Sequence, residues 1–270
     1  MTKQNPVVWG KGRIIFALDV SSLDEADELI KLLAPHVGLF KAGLELITAE
    51  GPERVIKFIH ERKARVFVDV KFHDIPNTVG NASANMAKFG ACMFNVHASG
   101  GIDMMRAAVK SRYAGKLPVN VLAVTILTSL GEDQNHLTYG DPVKAKVLQL
   151  ARDAKMAGVQ GLICSAQEAK MLKERPELAG LFLVTPGIRP AWSAKNDQKR
   201  IVTPKDAVLA GTDYMVIGRA IRTPPEEVGG PVEAVKLIVE EIQSAEKELN
   251  INVPSDEEET AEGDEEEETK

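Results

Sequence analysis

The stretch DVKFHDIPNT occupies residues 69–78 and directly follows the strand-like run VFV at residues 66–68. Side chains alternate between the two faces of a strand, so the pattern predicts that Asp69 and Lys71 point the same way. A second carboxylate, Asp74, follows three residues later. Burying such charges costs several kcal/mol unless they are paired. The stretch therefore predicts a paired charge cluster with a function at the end of a strand.

Short apolar runs rich in β-branched residues recur along the chain and alternate with helical patterns. Such runs are typical of strands that are buried on both faces. The predicted strands are 13–20, 39–43, 66–71, 93–96, 119–124, 161–164, 181–185 and 214–217. The predicted helices are 22–33, 51–61, 77–89, 101–111, 142–157, 166–175, 203–210 and 231–249.

Eight strands that alternate with eight helices predict an α/β protein, a (β/α)8 barrel of the TIM class, as a single domain over residues 1–253. A doubly wound sheet is the alternative fold. That fold would require a phosphate-binding loop after the first strand, and neither G-x-G-x-x-G nor a Walker sequence occurs there. The barrel is therefore the favoured architecture.

The charge of the chain is unevenly distributed. The formal net charge is −6, from 33 basic and 39 acidic residues, and residues 254–270 contribute ten acidic side chains and one lysine. This segment carries −9, which leaves +3 for residues 1–253. Because it has no large apolar side chain, we expect residues 254–270 to form a disordered tail. A net charge of this sign also argues against nucleic acid as a partner.

Membrane, secretion and metal signals are absent from the sequence. No apolar run approaches the roughly 18 residues of a membrane span, and the N-terminus MTKQNP lacks the apolar stretch of a signal peptide. Cys92 and Cys164 match no redox or zinc spacing, and the five histidines form no H-x-x-x-H pair. We therefore expect a cytoplasmic protein with no membrane partner, no metal and no cofactor.

Polar side chains lie at the C-terminal ends of the predicted strands, where barrels carry their active sites. After strand 8, Gly218 would let the backbone approach a ligand closely, and Arg219 could bind a phosphate through two hydrogen bonds. The long polar segment 187–200 after strand 7 predicts a loop that closes over a substrate. The residues at the other strand ends are Asp19, Lys41, Asp69, Lys71, His97, Thr125, Thr128 and Ser129.

Taken together, these motifs resemble those of the orotidine 5′-monophosphate decarboxylase family. The resemblance covers about residues 12–245, and the run Asp-x-Lys-x-x-Asp-Ile-Pro-Asn-Thr is close to diagnostic. The common family form has leucine where this chain has Val70, a conservative change. The shared motifs are FALDV (16–20), FKAGLEL (40–46), DVKFHDIPNTV (69–79), NVHASGG (95–101), LTSL (127–130), TPGIRP (185–190), DQKR (197–200) and IGRAI (217–221).

The resemblance implies that the chain decarboxylates orotidine 5′-monophosphate to UMP and CO2 without a cofactor, the last step of UMP synthesis. Lys71 resembles the proton donor, and Asp69 and Asp74 resemble the carboxylates that flank it. Asp74, Ile75 and Thr78 resemble residues that act in the neighbouring subunit's site, which implies a homodimer with composite sites.

The resemblance also implies a set of contacts to the substrate. Asp19 and Lys41 resemble residues that bind the ribose hydroxyls, and Thr128 resembles a contact near the pyrimidine. The residues that resemble phosphate-side ligands or the start of the closing loop are Pro186, Arg189, Gln198, Gly218 and Arg219.

The implied chemistry suits these residue types. Loss of CO2 from the pyrimidine leaves a vinylic carbanion with no conjugated electron sink, so a fixed cation has to stabilise the charge, and Lys71 is the candidate. Two alternatives remain at this point. One is a Mg²⁺-dependent sugar-phosphate decarboxylase or aldolase of the same barrel type, which shares Asp-x-Lys-x-x-Asp but lacks Ile-Pro-Asn-Thr. The other is a non-catalytic module that binds nucleotide phosphates.

Overall fold

The computed structural model describes residues 9–193 and 202–251. Within these ranges, eight parallel strands pair in sequence order and β8 pairs with β1, which closes the sheet into a barrel. This confirms the predicted (β/α)8 barrel, with strand ends that differ from the prediction by one or two residues. The strands are β1 (Ile14–Leu18), β2 (Leu39–Ala42), β3 (Val66–Phe72), β4 (Met93–His97), β5 (Asn120–Val124), β6 (Gly161–Ile163), β7 (Phe182–Pro186) and β8 (Tyr214–Ile217).

Helices cover the outside of the barrel and connect successive strands. In the described ranges they are α1 (Leu23–Leu33), α2 (Leu44–Glu50), α3 (Pro52–His60), α4 (Pro76–Phe89), α5 (Ile102–Ser111), α6 (Glu132–Tyr139), α7 (Val143–Ala157), α8 (Ala166–Lys173), α9 (Pro204–Leu209), α10 (Arg219–Arg222) and α11 (Pro231–Glu248). Each predicted helix is present. None of these helices is long and apolar enough to cross a membrane.

The prediction of eight helices was too low, because α2, α6 and α10 were not expected. All three are short and follow the C-terminal end of a strand. A helix of four to eight residues spans about two turns at most, which is too little for the 3.6-residue apolar repeat to stand out. These helices form part of the rim around the mouth of the barrel.

Local capping agrees with the sequence at several helix ends. The Ser22 side chain accepts a hydrogen bond from the backbone N–H of Glu25 and caps α1, and Ser165 and Thr203 cap α8 and α9 in the same way. These caps satisfy N–H groups that have no partner inside the helix. They determine where each helix starts after its strand, and thus how long each rim loop is.

The lower interior of the barrel is filled by apolar side chains. This cluster comprises Ile15, Leu39, Phe67, Met93, Leu122, Phe182, Val184 and Tyr214. Residues two positions further along a strand point to the same face. Two positions beyond Leu39, Phe67 and Met93 lie Lys41, Asp69 and Asn95. The interior therefore changes from an apolar floor to a polar layer as the strands approach the mouth.

The opposite end of the barrel is closed by a buried ion pair between Arg13 and Glu246. Arg13 Nε lies 2.6 Å from Glu246 Oε1, and the Glu246 side chain is fully buried. Glu246 also accepts a hydrogen bond from the backbone N–H of Gly10, and Arg13 donates to the backbone oxygens of Thr212 and Asp213. These bonds attach α11 to the N-terminal ends of β1 and β8, far from the mouth.

Candidate active site

Four charged side chains of alternating sign form a chain across the ends of β1, β2 and β3. Lys41 Nζ lies 3.0 Å from Asp19 Oδ1 and 3.5 Å from Asp69 Oδ2. Lys71 Nζ lies 2.6 Å from Asp69 Oδ1. Because each charge has an opposite charge beside it, the cluster avoids the cost of isolated buried ions. The structure thus brings Asp19 and Lys41, from two other strand ends, beside the predicted pair Asp69 and Lys71.

Strand β3 is irregular at the residues that carry this chemistry. It pairs with β4 up to Val68 and again at Phe72, so that three residues of β3 lie opposite Asn95 alone. Lys71 has a φ of +49°, in the left-handed region. For a residue other than glycine this conformation costs about 1–2 kcal/mol, and such strain is concentrated at functional sites.

The Asp69 and Lys71 side chains meet at 2.6 Å, but in a part of β3 where the backbone is irregular, whereas the prediction assumed a regular pleat. A bulge of this kind redirects side chains next to active sites. Only the pairing with β4 reveals it.

Asn95, which is fully buried in β4, was not among the predicted site residues. Its Nδ2 donates to Asp69 Oδ1 at 2.7 Å, and its Oδ1 accepts from the backbone N–H of Lys71 at 2.7 Å. The available signal was an amide side chain inside an otherwise apolar strand, since a buried polar group requires a partner. Asn95 connects the two catalytic candidates of β3 through one side chain.

Gly43 was also overlooked, and it leaves room for the Lys41 ammonium. A Cβ atom at Gly43 would lie 2.8 Å from Lys41 Nζ, closer than real contacts allow. Any larger residue would therefore displace the ammonium from Asp19 and Asp69. No pattern in the sequence distinguishes this glycine from an ordinary start of a helix.

The pKa of Asp69 is set by opposing influences. Burial raises the pKa, while the positive charges of Lys41 and Lys71 and the hydrogen bonds from Lys71 and Asn95 lower it. The result is a pKa below the usual value, so Asp69 is a carboxylate at neutral pH. This residue thus supplies a permanent negative charge at the floor of the mouth.

His97 ends β4 beside the same cluster. Its ring lies 5.2 Å from the ring of His73. Burial has the largest influence on His97 and lowers its pKa below the usual value, and the nearby Lys71 ammonium lowers it further. A neutral imidazole therefore borders the charge cluster on the β4 side.

A cavity of about 310 Å³ opens above the charge cluster. One side carries the four charged residues of β1 to β3, and apolar side chains such as Val124, Ile163 and Val216 form part of the wall. This combination suits a small organic ligand, which needs both apolar area and a few polar contacts. The other predicted site residues in the lining are Thr128, Pro186, Arg189, Gly218 and Arg219.

The β7 and β8 side of the cavity carries the two arginines. Arg189 is buried, and its backbone N–H donates to the carbonyl of Val202 at 3.0 Å. Arg219 is exposed at the start of α10. A Cβ atom at Gly218 would come within 3.3 Å of the Ala17 Cβ atom, so glycine preserves space at this strand end. Two guanidinium groups near one end of the cavity can bind an anionic group.

The remaining predicted residues lie outside the cavity of this chain. Asp74, Ile75 and Thr78 are exposed around the start of α4, and Ile75 is 65% exposed. Asp74 Oδ1 accepts a hydrogen bond from the backbone N–H of Ile75, and among residues 9–193 and 202–251 it has no ion-pair partner. Their role in a neighbouring subunit stays a prediction. Gln198 and the tail 254–270 lie outside the described residues.

Potential metal ligands are dispersed in the part of the chain that the structure describes. No group of three or more His, Cys, Asp or Glu side chains there comes close enough to hold a metal ion. Cys164 is fully buried, and burial raises the pKa of its thiol. Among the described residues, the mouth of the barrel thus carries charged side chains, including arginines, and an amide side chain against apolar walls.

Comparison with known proteins agrees with this geometry. The chain is 44% identical to an orotidine 5′-phosphate decarboxylase from Geotalea daltonii, over 86% of this chain and 96% of the relative. It is 47% identical to the enzyme of that name from Idiomarina loihiensis, over 84% and 98%. A crystal structure of orotidine 5′-phosphate decarboxylase from Lactobacillus acidophilus matches with a TM-score of 0.71 and 35% identity, over 85% and 98%. Residues 12–238 match the model of the orotidine 5′-phosphate decarboxylase / HUMPS family, and the chain belongs to that family.

Proposed function

We propose that the barrel mouth decarboxylates orotidine 5′-phosphate to UMP and CO2, with Lys71 as the proton donor. The observation that carries the proposal is the contact of 2.6 Å between Lys71 Nζ and Asp69 Oδ1, within the alternating charge chain beside the cavity. The names of the relatives, at 40–47% identity, support the same reaction. The reaction belongs to pyrimidine biosynthesis, and we place it in the cytoplasm.

Lys71 has two tasks in the proposed reaction. The carbon–carbon bond to the carboxylate breaks and leaves its electron pair on the pyrimidine carbon, which has no conjugated electron sink. The Lys71 ammonium stabilises this carbanion electrostatically and then donates its proton to it. The strained backbone at Lys71 and its contact with Asp69 keep the ammonium in one place before the substrate arrives.

Asp69 contributes a fixed negative charge. Its pKa lies below the usual value, so the group remains ionised next to the position where the substrate carboxylate would lie. Repulsion between the two carboxylates is relieved as CO2 departs, which favours the transition state over the ground state. Asp69 also orients the ammonium of Lys71 through a charge-assisted hydrogen bond.

Binding of the remote phosphate supplies much of the driving force. Arg189 and Arg219 bind the phosphate at the β7 and β8 side of the cavity, and Asp19 and Lys41 bind the ribose hydroxyls at the β1 and β2 side. Gln198, which lies outside the described residues, contributes a further contact to the phosphate. Energy from these contacts, which lie far from the reacting carbon, orders the site around the pyrimidine.

The active assembly is a homodimer with composite sites. Asp74, Ile75 and Thr78 lie outside this chain's own cavity and are exposed around the start of α4, so they are accessible to a partner subunit. In the dimer, these residues complete the mouth of the partner's barrel. Asp74 then becomes the second carboxylate, in addition to Asp69, beside the Lys71 ammonium of the partner subunit.

Turnover of the substrate tests the proposed reaction. The purified full-length chain is mixed with orotidine 5′-phosphate in EDTA, and the loss of the substrate's ultraviolet absorbance is followed. We expect turnover that EDTA leaves unchanged. An inactive chain that acquires sugar-phosphate activity with Mg²⁺ would instead assign it to the metal-dependent barrel enzymes, and tight UMP binding without turnover would indicate a binding module.

Mixing of two inactive variants tests the composite sites. Lys71→Ala and Asp74→Ala are each expected to be inactive as homodimers. After the two are mixed and their subunits exchange, half of the dimers are heterodimers that contain one intact site, so about a quarter of wild-type activity returns. If exchange is complete and no activity returns, Asp74 does not serve the neighbouring site.

A further inference from the structure

We propose that Asn95 is a positioning residue for the decarboxylation, which holds the Asp69 carboxylate and the Lys71 backbone in their reactive arrangement. The inference rests on the proposed function and extends it by one residue. Asn95 lies at the centre of β4, where its amide faces the irregular part of β3. It lies beneath the residues that contact substrate and acts through them.

Both ends of the Asn95 amide are used, and each end holds a different element of the site. The oxygen accepts from the backbone N–H of Lys71 at 2.7 Å, and the nitrogen donates to Asp69 Oδ1 at 2.7 Å. Asn95 itself is 0% exposed. Because the Asn95 side chain is fully buried, loss of either bond would leave a buried polar group of Asn95 without its partner.

The bond to Lys71 replaces a contact that the sheet has lost. Three residues of β3 lie opposite Asn95, so the regular ladder between β3 and β4 is interrupted between Val68 and Phe72. A strand N–H normally donates to a backbone carbonyl of the neighbouring strand. At Lys71 the side chain of Asn95 provides the acceptor, which supports a backbone with a φ of +49°.

The bond to Asp69 selects one orientation of the carboxylate. Asp69 Oδ1 accepts from both Asn95 Nδ2 and Lys71 Nζ, while Oδ2 lies 3.5 Å from Lys41 Nζ. Without the amide donor, the carboxylate could rotate and share its oxygens differently between the two lysines. Asn95 therefore keeps Lys71 as the closer partner, at 2.6 Å.

Asparagine is the side chain that fits both tasks. It offers a donor and an acceptor on a short stem, whereas an ionised aspartate only accepts and alanine offers neither. An aspartate at this position would retain the shape and the acceptor for the Lys71 N–H. It would, however, oppose Asp69 with a second negative charge. Asn95→Asp thus removes the donor and keeps the acceptor, whereas Asn95→Ala removes both.

The test compares these two variants with wild type and with Asn135→Ala. Asn135 is a matched control because it is also 0% exposed and donates through Nδ2, to the carbonyl of Asp141 at 2.7 Å, but it does not line the cavity. For each protein, kcat and KM for orotidine 5′-phosphate are measured across pH, together with thermal unfolding. A carbon-13 NMR titration of the Asp69 carboxyl is recorded in parallel.

We expect kcat to fall by at least about 100-fold in both Asn95 variants, because small displacements of reacting groups have effects of this size. KM should stay within about threefold, since the phosphate and ribose contacts are intact. The acidic limb of the kcat/KM profile and the NMR pKa of Asp69 should both move to higher pH, because both variants lose a donor that lowers this pKa and Asn95→Asp also adds a like charge beside it. The charged or titratable groups that face Asp69 are Lys41, Lys71 and His97, and all three are retained.

Asn135→Ala should unfold at a lower temperature but keep kcat within about twofold, and its acidic limb should not move. The inference is overturned if the folded Asn95→Asp variant keeps both kcat and the Asp69 pKa of wild type. If Asn95→Ala does not fold, Asn95→Asp decides the outcome alone. An inactive wild type would refute the proposed function, and the NMR titration would still show whether Asn95 controls the Asp69 carboxylate.

Discussion

Replacement of Lys71 by alanine is the sharpest test of the proposed mechanism. The side chain is 31% exposed and lies at the mouth, so its removal leaves the apolar core untouched. The cavity keeps Arg189, Arg219 and Lys41 for binding. We therefore expect Lys71→Ala to fold, to bind UMP with an affinity within about tenfold of wild type, and to lose turnover.

The size of the loss can be estimated from two contributions. Lys71 Nζ is fixed at 2.6 Å from Asp69 Oδ1, at the edge of the cavity. A unit charge about 4 Å from the developing carbanion contributes about 4 kcal/mol at an effective dielectric constant of about 20, which corresponds to roughly 10³ in rate. Loss of general acid catalysis removes a further factor of about 10²–10⁴. We expect kcat to fall by about 10⁵ or more.

Lys71→Arg separates these contributions. Arginine retains the positive charge but does not release a proton at neutral pH. Its kcat should therefore lie between those of wild type and Lys71→Ala, lower than wild type by about 10²–10⁴. Lys236→Ala is the control, because Lys236 is an exposed lysine of α11 that pairs with Glu233 at 2.7 Å and does not line the cavity. It should leave kcat unchanged.

The assay follows the loss of substrate absorbance with proteins expressed in a host that lacks its own orotidine 5′-phosphate decarboxylase. Binding of UMP is measured by calorimetry on the same preparations. A kcat for Lys71→Ala within about tenfold of wild type would refute the role of Lys71 as cation and acid. Equal rates for the arginine and alanine variants would refute the electrostatic part alone.

Three further predictions concern phosphate binding, stability and pH. Arg219→Ala should raise KM about 10- to 100-fold with a smaller change in kcat, as expected for loss of a charged hydrogen bond worth about 1.5–3 kcal/mol; steady-state kinetics measure this, and an unchanged KM would argue against a phosphate contact. Glu246→Ala should lower the free energy of unfolding, measured by urea titration, by about 3–5 kcal/mol, because it leaves Arg13 buried without its partner. The control is Glu248→Ala, which removes a carboxylate that pairs with a lysine at the surface. It should lower the free energy of unfolding by less than about 1 kcal/mol in the same titration. The folded-state pKa of Asp69 lies below its unfolded value, so its contribution to stability is full above about pH 3.9 and is lost as pH falls through the lower folded value. In urea unfolding between pH 2 and 7, the free energy of unfolding should therefore fall more steeply towards low pH for wild type than for Asp69→Asn.

The barrel and most of its rim could be predicted from local sequence. Apolar runs and helical periodicity depend on residues close in the chain, and they located each strand to within two residues. The C-terminal ends of parallel strands lie at one edge of a sheet, so strand-end polar residues could be expected to meet. Asp19, Lys41, Asp69 and Lys71 do meet, at distances of 2.6–3.5 Å.

The features that the local sequence did not predict depend largely on contacts between residues that are distant in the chain. Asn95 bonds to Lys71 and Asp69 across 24 and 26 residues, and Gly43 matters only because the Lys41 ammonium lies beside it. The short helices α2, α6 and α10 likewise lack enough turns to produce a repeat. These features could not be read from spacing or composition.

The sequence by itself determined the barrel, the strand ends that carry charge and the family, because hydrophobic periodicity and the run Asp-x-Lys-x-x-Asp-Ile-Pro-Asn-Thr are properties of contiguous residues. The orientation of the Asp69 and Lys71 side chains was decided by the tertiary structure alone. Their arrangement requires β3 to leave the regular ladder, and it requires Asn95 of β4 to accept the N–H that this releases. The physical reason is that a left-handed backbone conformation is unfavourable for a lysine on its own and persists where a neighbouring strand supplies a hydrogen bond to its N–H.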